Sequence, residues 1–578
     1  MPITRPIAIA LLVCACAKGD EGSTSRSNAA SWAPDKLTSV HGVAIGEIES
    51  AIGRMVSAAP PSHIDDDQWG HVRRLYKRYG NNPLWLTSHG LHSKRTKSLT
   101  KALLNAEADG MRMDAYPIGE LAASIAAVKE AEKPTAEQLA RADVLLTASY
   151  AALGEDLLTG QVIPRTVSQS WFIDPEDENV DSALVRTLRF DALDKGIATM
   201  RPQDDDYAGL MKALTVFRQL VARGGWGSVP TGKSLKLGDS DSPARLAALR
   251  NRLAVEGFRP QVPSQADTSP RSRKGSDEPH PTRSGVYDRG LAAAVAQFQA
   301  HHGIAVDSSL GSETVEALNV SAAYRLSQIA ANLERLRWLP RSLGNRYIIV
   351  NVPSFRLEAY DAGRKVLEMK VIVGAEYEDR RTPVFSDMME YVIFRPYWNV
   401  PPKIAAKELF PKIEANPGYL ASNNYELYSE NGETRIRQTP GDKNALGLVK
   451  FMFPNDFDIY LHDTPQEELF EKDVRAFSHG CIRLEKPTEL AELVLGWDAA
   501  KVEDQMHNGP NDHRVTLPRK IPVYIVYATA YLRNGQLFFG NDLYDRDDQL
   551  VQAVFRGALP NPATVQAVQA LKRIADSD

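Results

Sequence analysis

From about residue 66 to 225, apolar residues recur every three or four positions. Leu139, Val144, Leu145, Tyr150, Leu153 and Leu157 form one such series, the spacing of a helix with one buried face. Pro164, following Gly160, marks its stop. The pattern predicts a helical scaffold domain over 66–228 that carries no visible chemistry. A smaller helical unit follows at 229–321. Leu246, Leu249 and Leu253 make one helix, closed by Gly257, and the pattern resumes at Leu291, Val295 and Phe298. Between them, 259–285 is dense in Pro, Ser and charge and nearly without large apolar residues, so it predicts a disordered insert.

Beyond Tyr347 the period drops to two. Strands are predicted at 347–352, 355–360 and 365–373, the last two joined by the Asp361-Ala362-Gly363 turn, and then at 389–394, 448–453 and 458–462. Residues 523–531 and 536–539 flank Asn534-Gly535, a type I′ hairpin signal. One helix is predicted at 488–495. This is a mostly-β domain over 345–545, interrupted by an insertion at 402–447. The last part of the insertion, 431–447, carries three glycines and a Thr439-Pro440-Gly441 turn, so a hinge is expected there and the whole insertion is expected to act as a lid over Cys481. Residues 17–65, rich in Ser, Ala and charge, read as a flexible tether, and 546–578 as a C-terminal helical tail. The whole is a multidomain α+β chain.

Composition narrows the function. Lys and Arg number 68 against 73 Asp and Glu, a net charge of −5, which excludes a general nucleic-acid binder. With 43% hydrophobic and 24% charged residues, wholesale disorder is excluded too. The apolar run at 7–17 lies behind Arg5 and is too short to span a bilayer, which takes about 20 residues. It predicts a signal peptide over 1–16. Val13-Cys14-Ala15-Cys16 resembles a bacterial lipobox, which implies cleavage before Cys16, lipid on its thiol, and a periplasmic chain anchored to the membrane. Of three cysteines, Cys14, Cys16 and Cys481, only Cys481 then keeps a free thiol. An odd cysteine in an exported chain is a candidate nucleophile.

Its neighbours support that reading. Tyr460-Leu461-His462-Asp463 precedes Ser478-His479-Gly480-Cys481-Ile482-Arg483. A cysteine attacks as the thiolate, and a nearby imidazolium or guanidinium is expected to lower its pKa. A base must handle the proton. Gly480 lets a substrate carbonyl approach the backbone, where N–H groups can hold an oxyanion. Two histidines compete as base. His479 lies two residues from Cys481; His462 ends a separate strand and faces the thiol if that strand is its neighbour, which favours His462. A zinc site made of His462, His479 and Cys481 lacks a fourth ligand.

His462 with Ser478-His479-Gly480-Cys481-x-Arg483 resembles the signature of the L,D-transpeptidase (YkuD-type) catalytic domain. Val350-Asn351-Val352-Pro353, Thr382-Pro383 and Trp398-Asn399-Val400-Pro401 match as well. Tyr287, Val295, Phe298, Gln299, His302, Gly303, Gly311, Thr314, Ala317, Leu318 and Asn319 resemble a three-helix peptidoglycan-binding domain. Scaffold, split wall-binding unit and insertion together resemble the large YcbB-like subgroup. The resemblance implies that Cys481 is the nucleophile and His462 the base, oriented by the backbone carbonyl of Asp463. His479 and Gly480 complete the catalytic motif; Arg483, Ser478, Tyr460 and Trp398 are expected at the substrate. It implies a donor tetrapeptide stem of peptidoglycan, an acceptor amine, a 3→3 cross-link through a thioester, and a part in wall biogenesis and cell shape. Thiol and imidazole supply this chemistry, so no metal or organic cofactor is expected. The alternatives are an L,D-carboxypeptidase, a variant that attaches or releases a lipoprotein, and a non-catalytic wall-anchoring lipoprotein.

Overall fold

In the helical half, caps set where helices begin. Asp65 and Gln68 form a reciprocal capping box at the start of a helix, as do Thr135 and Gln138 at another. A computed structural model describes residues 32–175, 179–190, 192–259, 285–377, 380–430, 432–554 and 562–576. The expected signal peptide, Cys16 and nearly all of the 259–285 insert lie outside the described residues. Helices α1 (Ile45–Ser57), α2 (Asp66–Arg78), α3 (Ser93–Leu104), α4 (Ile118–Glu130) and α5 (Ala136–Thr159) build the scaffold. Helix α5 is its axis, with α1, α2 and α4 packed against it. Buried Asp143 on α5 accepts the phenol of Tyr76 at 2.6 Å and the backbone N–H groups of Leu84 and Trp85 at 3.0 and 2.8 Å.

The expected tether needs correction from residue 32 onward. Ile48, Ala51, Ile52 and Val56 line the buried face of α1 and join the scaffold core. Their three- and four-residue spacing is helical, hidden in the sequence by the polar residues between them.

Helix α6 (Val180–Leu188) closes the scaffold core, while α7 (Asp205–Ala222) leaves it and packs on α11 (Ala322–Arg337). Helices α8 (Pro243–Val255), α9 (Arg289–His301) and α10 (Ser312–Asn319) enclose a separate small core around Leu249, Leu291 and Phe298. Helix α11 joins the parts. Its Arg337, fully buried, donates to the carbonyl of Asp109 at 2.7 Å and to Tyr207 at 2.9 Å, and pairs with Glu334. Its Arg335 pairs with buried Asp547 at 2.5 Å.

The C-terminal half is built on β1 (Arg346–Asn351), β2 (Arg356–Asp361), β3 (Arg364–Gly374) and β4 (Phe385–Phe394). Next come β5 (Trp398–Asn399), β6 (Tyr425–Glu430), β7 (Glu433–Gln438), β8 (Val449–Met452) and β9 (Leu461–His462). Then follow β10 (Ala476–Ser478), β11 (Ile482–Leu484), β12 (His513–Val526), β13 (Ala530–Arg533) and β14 (Gln536–Phe539). Eight of them pair in a closed ring, β3-β11-β9-β8-β4-β12-β1-β2 and back to β3, with β10 beside β3. Closure leaves the ring no free edge to pair with another chain. One face is apolar, with Val392, Phe394, Val449, Phe451, Leu461 and Ile482 all fully buried.

The predicted strand 523–531 divides at 527–529. Its second part forms the β13–β14 hairpin, which stands apart from the ring and packs on α7 and α11. Asn534 and Gly535 both take positive φ, 52° and 74°, as a type I′ turn requires. Helix α12 (Pro487–Leu495) occupies the predicted helical stretch, and α13 (Ala499–His507) follows it. The C-terminal tail forms α14 (Asp547–Val554) and α15 (Pro562–Asp576), and α15 returns to lie on α3 and α4. Leu571 on α15 is fully buried in the scaffold core.

The insertion is ordered rather than loop-rich. Helical turns Pro402–Ile404 and Phe410–Ala415 flank a π-helical turn, Ala405–Leu409, and β6, β7 and β5 form a small sheet over them. Val400, Ala405, Leu409 and Ile436 are its core. The expected hinge at 431–447 is corrected in two places. Residues 433–438 are strand β7, and buried Asn444 donates to the carbonyls of Pro396 and Thr439 at 3.1 and 3.0 Å.

Leu571→Ala should therefore act on the scaffold and not only on the tail. A cavity there costs about 2–5 kcal/mol. Chemical denaturation is expected to show a lower midpoint, and amides of α3 and α4 to exchange faster. Unchanged protection in α3 and α4 would show that α15 contributes nothing to that core.

Candidate active site

Strand register brings the motif together. Strands β9 and β11 pair in parallel, Leu461 opposite Ile482 and His462 opposite Arg483. The ladder continues one step back, where Ile482 N–H donates to Tyr460 O at 3.1 Å. Alternate residues of a strand share a face. His462 and Tyr460 therefore face the same side as Arg483 and Cys481, opposite the apolar face. On the other flank Lys450 of β8 pairs with His462. His462 and the thiol are diagonal neighbours on adjacent strands, the arrangement expected for His462.

The turn 478–481 holds the thiol. Gly480 takes φ 115°, a conformation open to glycine, and a Cβ there would press on Ile459 at 3.1 Å. Thr382, fully buried, donates to Gly480 O at 2.8 Å and accepts from Gly374 N–H at 2.9 Å. Ser478 Oγ donates to Cys481 O at 2.5 Å and accepts from Gly480 N–H at 3.1 Å. Ser478, expected at the substrate, is thus buried inside the turn and its hydroxyl consumed there. The Gly480 N–H is also spent, which removes it from the expected oxyanion donors.

His462 is 4% exposed, and its Nδ1 lies 2.5 Å from Asp463 O. That contact sets the tautomer with Nδ1–H donating, leaving Nε2 as acceptor. The Asp463 carboxylate has a separate task. It accepts the N–H groups of Leu448 and Thr464, both at 2.7 Å, and so fixes the strand ends on either side of the base. Burial, then the Arg483 and Lys450 cations, push the His462 pKa down to about 3. At neutral pH the imidazole is therefore uncharged and able to accept a proton.

The thiol differs from expectation. Burial raises the Cys481 pKa above its ordinary value, outweighing the Tyr460 N–H, the Lys450 cation and the Tyr460 phenol, all of which pull it down. Its Sγ also lies 3.6 Å from Asp458 O. The resting pair is thiol and neutral imidazole. Arg483 donates to Gln466 Oε1 at 2.6 Å, its Nε is buried without a partner, and it has no carboxylate partner among the described residues.

The other predicted residues separate. His479 turns away from the thiol; its Nε2 lies 2.7 Å from Glu408 on the π-helical turn of the insertion, and Arg380 reaches the same carboxylate at 2.9 Å. Trp398 packs on the core of the insertion, against Tyr425. Among the described residues, His462, His479 and Cys481 are not gathered as a metal-ligand set. Sequence reasoning missed Lys450 and Glu408, and it met Thr382 only as part of the family pattern, without a role. Lys450 left a signal, a lone cation at an alternating position of an otherwise apolar strand.

Residues 345–525 match the family model YkuD, "L,D-transpeptidase catalytic domain"; residues 70–214 match "Scaffold domain"; residues 272–318 match "Putative peptidoglycan binding domain". A "Putative L,D-transpeptidase" of Haemophilus influenzae is 34% identical over 243 residues, 39% of this chain and 48% of that protein. The chain thus spans about half the length of this curated relative. Among solved structures, an L,D-transpeptidase from Xylanimonas cellulosilytica is similar at 16% identity and a TM-score of 0.16, over 51% of this chain and 99% of that one. The "Ldtfm-avibactam carbamoyl enzyme" is similar at 13% identity and a TM-score of 0.16, over 32% of this chain and 51% of that one.

The buried neutral base has a stability consequence. The unfolded chain takes up a proton on this histidine below its ordinary pKa of 6.5, and the folded chain refuses it down to about 3. Stability is therefore lost as pH falls through that window, by about 1 kcal/mol per unit. His462→Gln should flatten the fall in urea midpoint between pH 7.5 and 5 relative to the parent. Parallel pH profiles of the two would mean that His462 already takes its proton in the fold.

Proposed function

With residues 345–525 belonging to the YkuD family of L,D-transpeptidase catalytic domains, we propose that this chain forms 3→3 cross-links in peptidoglycan through a thioester on Cys481. The family match supports a peptidoglycan cross-linking role in general. The finer reading is supported by one observation above the rest, a lone thiol and a neutral, carbonyl-oriented imidazole on one face of a parallel strand pair.

In this reading the donor is a tetrapeptide stem and the scissile bond joins its third residue to the terminal D-Ala. As Cys481 Sγ attacks the carbonyl carbon, its proton passes to His462 Nε2. The Tyr460 N–H, directed at the thiol, is the backbone donor placed to receive the developing oxyanion. Collapse breaks the C–N bond; His462 returns the proton to the departing amine, and D-Ala leaves. A side-chain amine of a second stem then attacks the thioester, giving up a proton through His462 as the thiolate departs. Asp463 acts through its carbonyl, Arg483 holds the strand pair charged beside the base, and Tyr460 lines the thiol. The insertion serves as a lid, supported by the Glu408 contacts to His479 and Arg380 at the rim of the motif. The N-terminal pattern supports an activity outside the cytoplasmic membrane, with lipid on Cys16 as its anchor in this reading.

Acylation tests the roles together. The parent should gain the mass of a ring-opened carbapenem on Cys481, and Cys481→Ala should gain none while keeping its fold. His462→Ala should acylate about 10²–10⁴-fold more slowly, and His479→Ala should lose much less. A folded Cys481→Ala that still forms cross-links in muropeptide analysis would overturn the mechanism; a His462→Ala as fast as the parent would move the base to His479.

Replacing 402–447 by a short Gly/Ser loop tests the lid. Slower acylation and a larger hydrolysed share of the thioester are expected, because the lid binds the donor and excludes water. Unchanged values for both in a folded variant would reduce the insertion to surface decoration.

A further inference from the structure

The row of paired residues through the base contains a cation that the reaction scheme above does not use. Across the ring, Arg514 of β12 pairs with Ile393 of β4, Ile393 with Lys450 of β8, Lys450 with His462 of β9, and His462 with Arg483 of β11. Paired residues share a face, so Lys450 stands on the face of Tyr460 and Cys481. Its Nζ sits 3.7 Å from the centre of the Tyr460 ring. The Tyr460 ring is in turn edge-on to His462, with centroids 5.6 Å apart. Among the described residues Lys450 has no carboxylate within ion-pair distance.

An ammonium so placed is costly. Its strand neighbours, Val449 and Phe451, are fully buried on the apolar face, and a Met or Leu at 450 would fill the same space without desolvating a charge. Packing alone does not call for a lysine. A cation over an aromatic face gains about 0.5–2 kcal/mol, which offsets part of the cost and fixes where the ring lies.

We propose that Lys450 is a positioning residue: its ammonium holds the Tyr460 ring against the Cys481 thiol and supplies the positive charge that lets the thiol ionise as it attacks. The proposal rests on Cys481 being the nucleophile. It gives the buried thiol what its own position denies it. The directions agree, since the Lys450 cation draws the Cys481 pKa down against burial and also lowers that of His462. The charged and titratable groups around this ammonium are Tyr460 just before β9 and His462 on it, Cys481 just before β11 and Arg483 on it, Arg514 on β12, and the Asp458 and Asp512 carboxylates in the turns leading into β9 and β12. The two carboxylates oppose thiolate formation, so Lys450 and Arg483 are the groups that can favour it.

The test reads the thiol without any wall substrate. Full-length parent, Lys450→Met, Lys450→Gln and Lys450→Arg are alkylated with iodoacetamide from pH 5 to 10, and the Cys481 peptide is followed by mass spectrometry. An opposite charge at this range moves a pKa by about one unit or more. Lys450→Met and Lys450→Gln should therefore alkylate about tenfold more slowly at pH 7, with the profile displaced to higher pH, and Lys450→Arg should stay near the parent. Two neutral substitutions cover the failure of one to fold. A folded neutral variant whose profile superimposes on that of the parent overturns the proposal, as does a folded Lys450→Arg that shifts as far as Lys450→Met. A shifted profile in a chain whose parent forms no acyl-enzyme with a tetrapeptide stem would support Lys450 and overturn the function proposed above.

Discussion

The parallel pairing of β9 with β11 is the constraint on which the site depends. It is only a few residues long, yet it sets His462 opposite Arg483 and Tyr460 beside Cys481. The period of a strand is two, so a slip of one residue would carry His462 into the apolar layer and Leu461 out of it. The cost of that slip is large because Leu461, Ile482, Val449 and Phe451 are all fully buried. The hydrophobic core thus sets catalytic register from the opposite face of the sheet. The Asp463 carboxylate reinforces it by holding Leu448 and Thr464, and a side chain at Gly447 would run into that carboxylate.

Burial then shapes the chemistry. It pushes the thiol pKa up and the imidazole pKa down, which disfavours a resting thiolate–imidazolium pair. Such a site is quiet until a substrate arrives, and the proton moves as the bond forms. The same dry surroundings strengthen every interaction with a developing charge, so the cations beside the base carry more weight than they would in water. Placing them in one row across the sheet brings their charge to the thiol without an ion pair that would cancel it.

Much of this was legible in the sequence. The period-two region, the Asn534-Gly535 turn and the motif around Cys481 each follow from local rules, and the strand reading singled out His462 over His479. What escaped was set by tertiary contact. The α1 helix looked like tether because its apolar face is thin and pays off only against α5. The stretch 431–447 looked loose because glycines mark turns in a small sheet as readily as they mark hinges. Ser478 is expected at the substrate from its place in the motif, but its hydroxyl bonds within the turn, a local geometry no residue pattern announces. Trp398 is expected at the substrate because of its neighbours in sequence, yet its ring packs on the core of the insertion. The depressed basicity of His462 comes first from its burial and then from Arg483 and Lys450, which arrive from two different strands; spacing along the chain does not reveal either.

The distribution of order around the site follows from where its supports originate. The floor is held by the ring and by Thr382, which reaches the nucleophile turn from the β3–β4 connection. Tyr544, beyond the last hairpin, accepts from Thr382 N–H at 3.2 Å and donates to Gly374 O at 2.7 Å. A few residues later, Asp547 pairs with Arg335 of α11, and α11 also engages the scaffold through Arg337 and Asp109. A continuous chain of buried contacts therefore runs from the scaffold to the turn that carries the thiol. The insertion is held unevenly: its last residues stay with the floor, Leu446 through a backbone contact to His462 and buried Asn444 through Pro396, while its helical turns meet the motif through Glu408 in half-exposed ion pairs, which contribute little, about 0–1 kcal/mol. A rigid floor beneath helical turns that are only weakly latched divides stability so that the groups of the motif stay fixed while the cover above them can open.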